Sequence, residues 1–328
     1  MKHFFKKRKF LLYFIFLSLQ LNGQVTGFDK VGTTSFQFLT VIPNAHFAGM
    51  GGAFSAVNIG SDAVFFNPAA LKIANKFEFS VAQLDWFQDS EISSFSFGWK
   101  PKSTGTITLQ LLSVNIGKIQ ETRADHLLRD ESGQYNPGLT GNTFSPSSLA
   151  YGIGYSNPLT DKFTFGIAMN NATEDLVYKK SSTIVYDIGL LYETGYKTIK
   201  IGSVLRNFGN EVTFFDEPYP LPQSFIVGIS SMLFGPSNAL IGSSSNNNLL
   251  LAYDLSQTRD HSQQQHLGIE YNFNKMFYLR FGNKSNFDAE SYTFGIGIKI
   301  NGIDVDYAYN SFGSDIGGVS RLGMRIWR

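Results

Sequence analysis

Few side chains in this sequence have the type and spacing that catalysis requires. Asp304 and Asp306 are the strongest pair, because residues two apart on a strand share one face. Two carboxylates on one face could act in general acid–base catalysis. Arg321, Arg325 and Lys299 lie on segments expected to run beside this one, however, and opposite charges on neighbouring strands pair. We therefore predict ion pairs here and no catalytic residues.

Histidine, cysteine and serine motifs give no further candidate for catalysis or metal binding. His261 and His266 are close enough in sequence to share a metal ion, but solvated loop histidines are the simpler interpretation. The chain has no cysteine, which excludes disulfides, thiolate metal ligands and a thiol nucleophile. It also has no G-x-S-x-G nucleophile elbow. The sequence predicts no enzyme, no metal site and no cofactor.

The composition argues against polyanionic partners and shows an unusually high content of aromatic residues. The formal net charge is +1 over 328 residues, so we expect no nucleic acid or other polyanion to bind. Aromatic residues make up 15% of the chain, with 31 Phe and 15 Tyr, which is high for a soluble domain. This excess requires an explanation.

Residues 1–23 have the order of a secretory signal peptide. "MKHFFKKRKF" is basic, "LLYFIFLSL" is a short apolar core, and the small residue Gly23 precedes the expected cleavage site. A retained membrane anchor is the alternative, but the apolar run is short for a span. Beyond residue 24 no stretch approaches the ~18 apolar residues of a transmembrane helix. We expect an exported protein that is either soluble or a membrane β-barrel.

A period of two governs the chain from residue 77 onward. In "SYTFGIGIKI" Tyr292, Phe294, Ile296, Ile298 and Ile300 share one face, and small or charged residues occupy the other, which predicts a strand. The pattern predicts fourteen strands, at 77–84, 92–100, 104–115, 147–157, 162–171, 182–193, 196–206, 222–233, 247–256, 265–273, 276–283, 291–300, 302–310 and 318–328. Most are near the length of about 9–11 residues at which a tilted strand crosses a bilayer. An even count is typical of bacterial outer-membrane barrels.

The connections alternate between short and long, as in a transmembrane barrel with short periplasmic turns and longer outer loops. Segments 157–161 and 300–302 are short, whereas 116–146 and 207–221 are long. One connection, 235–248, is long where a short turn is expected, and we interpret it as an insertion. A soluble sandwich gives no reason for this alternation. The sequence predicts an all-β transmembrane antiparallel β-barrel of about fourteen strands over 77–328.

A set of charged residues falls on the face opposite the apolar one. These residues are Glu270, Arg280, Lys299, Asp304, Asp306, Arg321 and Arg325. A soluble barrel would not place them inside, whereas a membrane barrel has a polar lumen. We therefore predict that they line the lumen.

Residues 24–76, which precede the barrel, contain a segment unlike the strands. "HFAGMGGAFSAVNIGSDAVFFNPAAL" (46–71) is small, apolar and rich in glycine. It lacks the G-x-G-x-x-G spacing of a dinucleotide site and the Gly-Lys-Ser/Thr of a Walker loop. It is too apolar for a typical linker, and its glycines allow close packing. We predict that residues 24–76 form an N-terminal hatch segment folded inside the lumen.

The hatch segment resembles the N-terminal signature of the PorV/PorQ family, outer-membrane proteins of the FadL-like group of fourteen-stranded barrels with an N-terminal hatch. The matching residues are Gly49, Met50, Gly51, Gly52, Ala53, Asp62, Asn67, Pro68 and Ala69. The likeness continues through "SLAYGIGYSNPLTDKFTFGIAM", "VLRNFGNEV" and "PYPLPQSFIVGIS", over most of 33–328. Two departures are Asn170-Asn171, where the family often has Lys-Tyr, and a last residue, Arg328, that is not aromatic.

The resemblance implies a non-enzymatic component or cargo shuttle of the type IX secretion system, in the outer membrane of a Gram-negative cell. Its partners would be membrane lipid, a large translocon barrel and secreted cargo with a C-terminal signal domain. The implied binding surface is loops 116–146 and 207–221 together with one barrel wall. Phe214, Phe215 and Tyr219 are candidate contacts, and a place in the interfacial belt of the membrane is equally open to them.

Two other functions remain open. A FadL-like passive channel for hydrophobic compounds, with a possible acyl-chain ligand, requires an apolar path and usually a kink in the wall. Strand 104–115 has no internal proline or late glycine, and the lumen face is polar. Both observations count against the channel hypothesis. A soluble periplasmic protein that binds carbohydrate is the third possibility.

Overall fold

The computed structural model describes residues 30–87, 90–102, 105–129, 131–313 and 317–328. The predicted signal peptide lies outside these ranges. In this part of the chain the only α-helix with defined bounds is α1 (Ala45–Gly49), and short 3-10 turns precede and follow it. No helix of the described residues is long and apolar enough to cross a membrane.

Long strands make up most of the described structure after residue 76. The fourteen strands are β1 (Phe77–Asp85), β2 (Glu91–Trp99), β3 (Thr106–Asn115), β4 (Ser147–Pro158), β5 (Phe163–Asp175), β6 (Lys180–Glu193), β7 (Lys200–Gly209), β8 (Ser224–Gly235), β9 (Asn248–Thr258), β10 (Gln264–Phe273), β11 (Phe277–Ser285), β12 (Tyr292–Ile300), β13 (Ile303–Ser311) and β14 (Gly318–Trp327). Each overlaps one predicted strand.

The sheet closes on itself. Consecutive strands pair antiparallel, and β1 pairs with β14 from Glu78 opposite Trp327 to Asp85 opposite Ser320. The long connection between β7 and β8 does not interrupt the wall, because Leu205 faces Phe225 in a continuous antiparallel pair. All fourteen strands therefore have two neighbours, and the predicted all-β transmembrane barrel is confirmed.

The two ends of the barrel differ in the length of their connections. We call the end with segments 86–90, 116–146, 176–179, 210–223, 259–263, 286–291 and 312–317 the outer end, and the other the inner end. Two outer connections contain small sheets that the sequence did not predict: Ile119–Thr122 pairs with Leu139–Phe144, and Val212–Thr213 pairs with Pro218–Tyr219. At the inner end, the predicted insertion contains Gly242–Ser243, which runs parallel to the end of β8.

The outward face of the barrel carries the apolar band expected of a lipid-facing surface. On β12 the outward residues Phe294, Ile296 and Ile298 are exposed, while the inward Thr293 and Gly295 are buried. Exposed aromatic and aliphatic side chains continue this band around the wall. A closed antiparallel barrel with such a band is the architecture of outer-membrane proteins. The band explains the high aromatic content.

The polarity of β1 to β3 inverts near the outer end. There, Gln83 and Glu91 point outward, while Leu84, Ile92 and Leu112 are buried inside. Apolar-inside and polar-outside is the order of a barrel surrounded by water. These strands therefore extend beyond the lipid band at the outer end, where their inward side chains pack as a conventional core.

Candidate functional site

Residues 30–76 run through the lumen from the outer end to the inner end. Lys30 donates its backbone N–H to the carbonyl of Asp260 in an outer connection, at 2.9 Å. Lys76 accepts from the backbone of Lys100 at the inner end, at 3.0 Å. Between these points the chain packs against strands on opposite sides of the barrel. We call residues 44–71 the hatch and residues 34–42, which lie on its outer side, the cover.

Short-range capping fixes the conformation of the hatch. Asn44 begins α1, and its side chain accepts from the N–H of Phe47. Gly51 and Gly52 follow with φ of 66° and 81°, values that favour glycine. Asn67 likewise accepts from the N–H of Ala69 at the start of a 3-10 turn. The glycine run therefore follows the end of α1, and the Asn-Pro motif begins a 3-10 turn.

An aromatic core holds the hatch together. The rings of Phe47 and Phe54 are 4.3 Å apart between centroids, and those of Phe47 and Phe66 are 4.5 Å apart, both edge to face. Met50 and Val64 are fully buried in the same cluster. The central lumen is thus filled by a packed apolar unit.

Glycines of the wall let the hatch approach the strands closely. A Cβ atom at Gly166 would meet the backbone of Pro68 and Ala69, and one at Gly202 would meet the backbone of Ser55. A Cβ at Gly282 would meet the backbone of Gly51. The inward glycines of the alternating strands are therefore the surface on which the hatch sits.

Asp254 of β9 anchors the centre of the hatch. Its carboxylate accepts from the backbone N–H groups of Phe54 and Ser55 and from the hydroxyl of Ser55, each at 2.8 Å. Asp254 is buried. Three donors on one buried carboxylate make this a strong point of attachment.

Asp62 anchors the hatch to the opposite wall. Asn44 and Ser80 donate to one of its oxygens at 2.7 and 2.8 Å, and Ser96 donates to the other at 3.0 Å. Burial raises the pKa of the Asp62 carboxyl above its ordinary value, while nearby Arg325 and the serine hydroxyls act to lower it. Asp62 thus joins the hatch to β1 and β2.

A charge network joins α1 to β10, β11 and β13. The guanidinium of Arg280 donates to Glu270 at 2.7 Å and to Asp306 at 2.6 Å. His46 of α1 lies 3.2 Å from Arg280 through Nδ1 and 2.9 Å from Glu270 through Nε2. The lumen charges at these positions are therefore engaged with one another and with the hatch.

The remaining predicted lumen charges have different roles. Arg325 donates to Asp304 at 2.7 Å, and Lys299 lies 4.0 Å from the same carboxylate. Arg321 has no ion pair among the described residues, unlike the expected pairing with Asp304 or Asp306, because it faces Ala308 on β13. Its Nε instead donates to the carbonyl of Ile42 at 2.9 Å.

The cover is attached at the outer end. Thr34 and Gln37 donate to Asp260, at 2.9 and 2.7 Å, and His261 lies 3.0 Å from the same carboxylate. Burial by itself would raise the pKa of Asp260, but the hydrogen bonds from His261, Gln37 and Thr34 outweigh it and hold the pKa below its ordinary value. The ionised carboxylate of Asp260 therefore holds the cover in place.

A cavity of about 270 Å³ lies between the cover and the hatch, lined by residues of β7 to β11 and by residues at the outer ends of β1, β13 and β14. Its apolar lining includes Val41, Phe66, Trp86, Ile226, Phe287 and Phe312. Its polar lining includes Arg206, Asp260, His266, Lys284, Glu290 and Arg321. The cavity thus combines a mainly aromatic body with a small number of charged groups.

The outer loops contain an exposed apolar surface. Of the three candidate contact residues, Phe215 and Tyr219 are exposed, whereas Phe214 packs against Phe36 of the cover at 6.1 Å between ring centroids and is half-buried. The sequence analysis grouped Phe214 with the other two residues because the sequence does not show that the cover reaches this loop. Leu128 and Tyr178, which sequence reasoning did not select, are 70% and 77% exposed.

Several residues of the site were missed from the sequence. The predicted solvated histidine His266 instead lies on β10 and contacts the carbonyl of Gly51 at 2.7 Å. Asp254 and Arg206 carried no local motif, although both fall at inward positions of predicted strands. Within the described part of the chain, no three His, Cys, Asp or Glu residues are grouped closely enough to hold a metal ion.

No protein-family model matches the chain, and no curated protein matches its sequence. Solved structures do resemble its fold. The toluene transporter TbuX of Ralstonia pickettii has a TM-score of 0.56 at 13% identity, over 86% of this chain and 96% of that one. The toluene transporter TodX of Pseudomonas putida has a TM-score of 0.56 at 12% identity, over 85% of this chain and 96% of that one.

A third structure extends the same likeness. The monoaromatic hydrocarbon channel CymD has a TM-score of 0.53 at 11% identity, over 87% of this chain and 97% of that one. At these identities the likeness concerns the fold. It covers nearly the whole length of each of the three barrels.

Proposed function

We propose that this protein is a FadL-like outer-membrane channel that binds a small hydrophobic or amphiphilic compound in the outer lumen and releases it past the hatch. The observation that carries this proposal is the cavity of about 270 Å³ between cover and hatch. This volume is just below the range of about 300–1,000 Å³ that is typical of small-molecule sites, so the cavity suits a small ligand. The similar barrels TbuX, TodX and CymD, named for toluene and monoaromatic hydrocarbons, support the same class of ligand.

The lining of the cavity suits an apolar ligand. Trp86 and Phe312 pack edge to face at 5.6 Å between ring centroids, and Phe287 lines the same cavity. Aromatic walls offer a ligand a large contact area with little loss of side-chain freedom. The cover closes the space from the outer end, so that a ligand bound there would be withdrawn from water.

The route out of the cavity runs through the lumen. Strand β3 pairs without interruption to β2 and to β4, from Ile107 to Asn115, so the wall has no opening beside it. A ligand must therefore pass the hatch, whose anchors are individual hydrogen bonds and ion pairs. Movement of the hatch within the barrel is the step that the proposal requires.

Uptake and binding together test the proposal. Initial uptake of radiolabelled toluene and octanol would be measured in a Gram-negative host that expresses the chain. Ser256 lines the cavity and the next residue, Gln257, faces outward, so Ser256→Phe fills the cavity while Gln257→Phe is the matched control. We expect Ser256→Phe to abolish uptake and Gln257→Phe to leave it unchanged. Equal uptake with both variants, or none with the unaltered chain, would exclude the channel.

A second candidate function is the PorV/PorQ-type role in type IX secretion, with protein cargo and a translocon barrel as partners. The specific observation in its favour is the exposed apolar surface of Leu128, Tyr135, Tyr178 and Phe215 on the outer loops. Exposed aromatic residues are typical anchors for a protein partner. The uninterrupted wall and the many anchors of the hatch also suit a barrel that transports nothing.

Affinity purification separates the two functions. A tagged chain would be isolated from detergent-solubilised outer membranes and compared with a Tyr178→Ser, Phe215→Ser double variant by mass spectrometry. Recovery of a large barrel or of surface proteins that share a C-terminal domain, lost in the double variant, would favour the secretion role. Recovery of the barrel alone with a bound acyl or aromatic compound would favour the channel.

A further inference from the structure

We propose that the inner end of the barrel binds anionic phospholipids, such as phosphatidylglycerol, through a ring of basic side chains. This ring, which we call the basic rim, consists of exposed residues at the inner end: Lys72, Lys76, Lys100, Lys102, Lys162, Lys197, Lys275 and Arg328. Such binding takes place on the outside of the barrel, so it does not depend on the proposed channel function.

The near-neutral total charge of the chain hides a difference between the two ends of the barrel. Among the described residues, the inner end has one exposed side-chain carboxylate, Asp161, and one half-buried carboxylate, Glu193. Glu193 pairs with Lys200 at 2.9 Å and also lies in the field of Lys72. The positive excess of the inner end therefore remains after these two carboxylates are counted.

The outer end has no comparable excess among the described residues. Exposed side chains of both signs are mixed there: Asp85, Glu91, Asp125, Glu131, Glu211, Asp216, Glu217 and Asp288 with Lys30, Lys118, Arg123, Arg129, Lys179, Lys180 and Arg259. The basic rim is thus a property of one end of the barrel and does not reflect the general composition of its surface.

The basic rim extends around much of the circumference. Its members precede β1, follow β2 and β14, and lie in the connections β4–β5, β6–β7 and β10–β11. Three of them are neighbours, because Phe77 and Arg328 exchange backbone hydrogen bonds at 3.3 and 3.1 Å and Lys100 donates to the carbonyl of Lys76 at 3.0 Å. A soluble acidic partner would contact one sector or the mouth, whereas a lipid leaflet surrounds the barrel. The distribution therefore favours lipid.

Aromatic residues place the basic rim at the depth of lipid headgroups. The ammonium group of Lys76 lies 5.1 Å from the ring centroid of Phe77, on the outward side of β1. Trp99, Phe163 and Phe277 are exposed at the inner ends of their strands, each within two residues of a member of the rim. Such aromatic residues mark the membrane–water interface, and basic side chains beside them extend into the headgroup layer.

Turn geometry does not account for lysine at these positions. Lys197 and Lys275 have φ of 57° and 58°, in the left-handed region that favours glycine and asparagine. Another inner turn has Asn301 and Gly302 in this region, with φ of 47° and 85°. Lysine therefore stands where a neutral turn residue fits the backbone better, and its charge is the property that distinguishes it.

An anionic leaflet is the partner that this charge suits. Basic side chains close to an anionic membrane surface are attracted to it, and the attraction weakens as salt increases. A phosphatidylcholine carries the same phosphate as a phosphatidylglycerol, but its own cation cancels the charge. The two lipids therefore differ in the one property that the basic rim would recognise.

Displacement of a quenching lipid tests the proposal. Trp99 and Trp327 lie at the inner end and Trp86 at the outer end, so the full chain with Trp86→Phe reports from the inner end. It would be reconstituted in brominated phosphatidylcholine, and the recovery of fluorescence would be measured as unbrominated phosphatidylglycerol or phosphatidylcholine is added. We expect phosphatidylglycerol to bind beside these tryptophans at least about fivefold more strongly. The preference should fall at about 0.5 M salt.

Two triple variants with the same loss of charge locate the effect. The inner variant removes three neighbouring members of the basic rim: Lys76→Gln, Lys100→Gln and Arg328→Gln. The outer variant removes three exposed cations of the outer end: Lys179→Gln, Lys180→Gln and Arg259→Gln. The inner variant should bind the two lipids about equally, and the outer variant should keep the preference of the unaltered rim.

The outcomes decide between a lipid and another partner. Equal displacement by the two lipids, or the same preference in both triple variants, overturns the lipid assignment and leaves the basic rim to a soluble acidic partner. If the inner variant does not fold, as shown by loss of the heat-dependent shift in gel mobility, the single variant Lys100→Gln and the salt dependence decide the result.

Discussion

Arg280 reaches Asp306 across the strand that separates them, with 2.6 Å between Nη1 and Oδ1. Arg280 belongs to β11 and Asp306 to β13, and the intervening β12 carries Gly295 and Gly297 beneath the ion pair. A Cβ at Gly297 would meet both partners. Two glycines that alternate with an outward apolar row therefore provide the space for a charge pair in the lumen.

Removal of Arg280 should strongly destabilise the barrel. Arg280→Met leaves Glu270 and Asp306 buried without their cation, a change that typically costs about 3–5 kcal/mol. The temperature at which the heat-dependent gel shift occurs should fall, and the double variant with Glu270→Gln should recover part of the loss. Arg259→Met, at an exposed position, should behave as the unaltered chain. An unchanged transition for Arg280→Met would contradict the role assigned to this network.

Two glycine positions should respond differently to the same added methyl group. At Gly202 a Cβ would meet the backbone of Ser55, so Gly202→Ala should displace the hatch at a cost of about 1–3 kcal/mol. At Gly323 the nearest atom, the Cβ of Ala45, is 3.7 Å away, so Gly323→Ala should lie within about 0.5 kcal/mol. Urea unfolding of the detergent-purified variants measures both. Equal effects would show that hatch contact does not set the need for glycine.

Loss of the Asp254 anchor should loosen the hatch. Asp254→Ala leaves the N–H groups of Phe54 and Ser55 buried without acceptors, at about 1–3 kcal/mol each. Planar bilayer recordings should then show more frequent or larger conductance events. Asp288→Ala removes an exposed outer-end carboxylate and serves as the control. Identical recordings for the two variants would mean that the hatch is held by its packing alone.

The cover should detach only in acid. Asp260 has a pKa below its ordinary value of 3.8, so its attachment of the cover is complete above that pH and is lost as the pH falls through the lower, folded pKa. Because the chain has no cysteine, Val31→Cys introduces a single site for a spin label beside the cover. The label should be immobile from pH 7 down to about 4 and should become mobile only as the pH falls further, through the lowered pKa of Asp260.

Asp260→Asn tests the cause of that transition. In this background the label should be mobile at pH 7, whereas Asp288→Asn should leave the profile unchanged. A transition near neutral pH would contradict the role assigned to Asp260.

The strands could be predicted because each has a fixed inward and outward side. Tyr292 to Ile300, for example, alternates along its whole length, and the structure ends β12 at those same residues. The hatch segment was recognisable from its glycines and from Asn67-Pro68. Its contacts were not, because Asp254 and Ser55 are 199 residues apart and nothing local connects them.

The contacts of the site depend on a bulge and on long-range pairing, which the alternation of inward and outward residues does not reveal. A bulge at Asn207 turns Arg206 and Asn207 to the same side, and a strict period of two would separate them. The pairing of Arg280 with Asp306 skips a strand, so a comparison of neighbouring strands assigned Asp306 to the wrong arginine. Phe214 was placed at the surface because the path of the cover was unknown.

The path of the hatch also has a topological consequence. The segment from Lys30 at the outer end to Lys76 at the inner end passes through the closed sheet, and the pairing of β1 with β14 is what closes that sheet. Strands so distant in the chain are expected to meet late, after local pairs have formed. The sheet would then close around a hatch that is already in place, and the hatch would act as a template for the curvature of the sheet. The last step of assembly would then be the pairing of β1 with β14, and not the insertion of the hatch into a finished barrel.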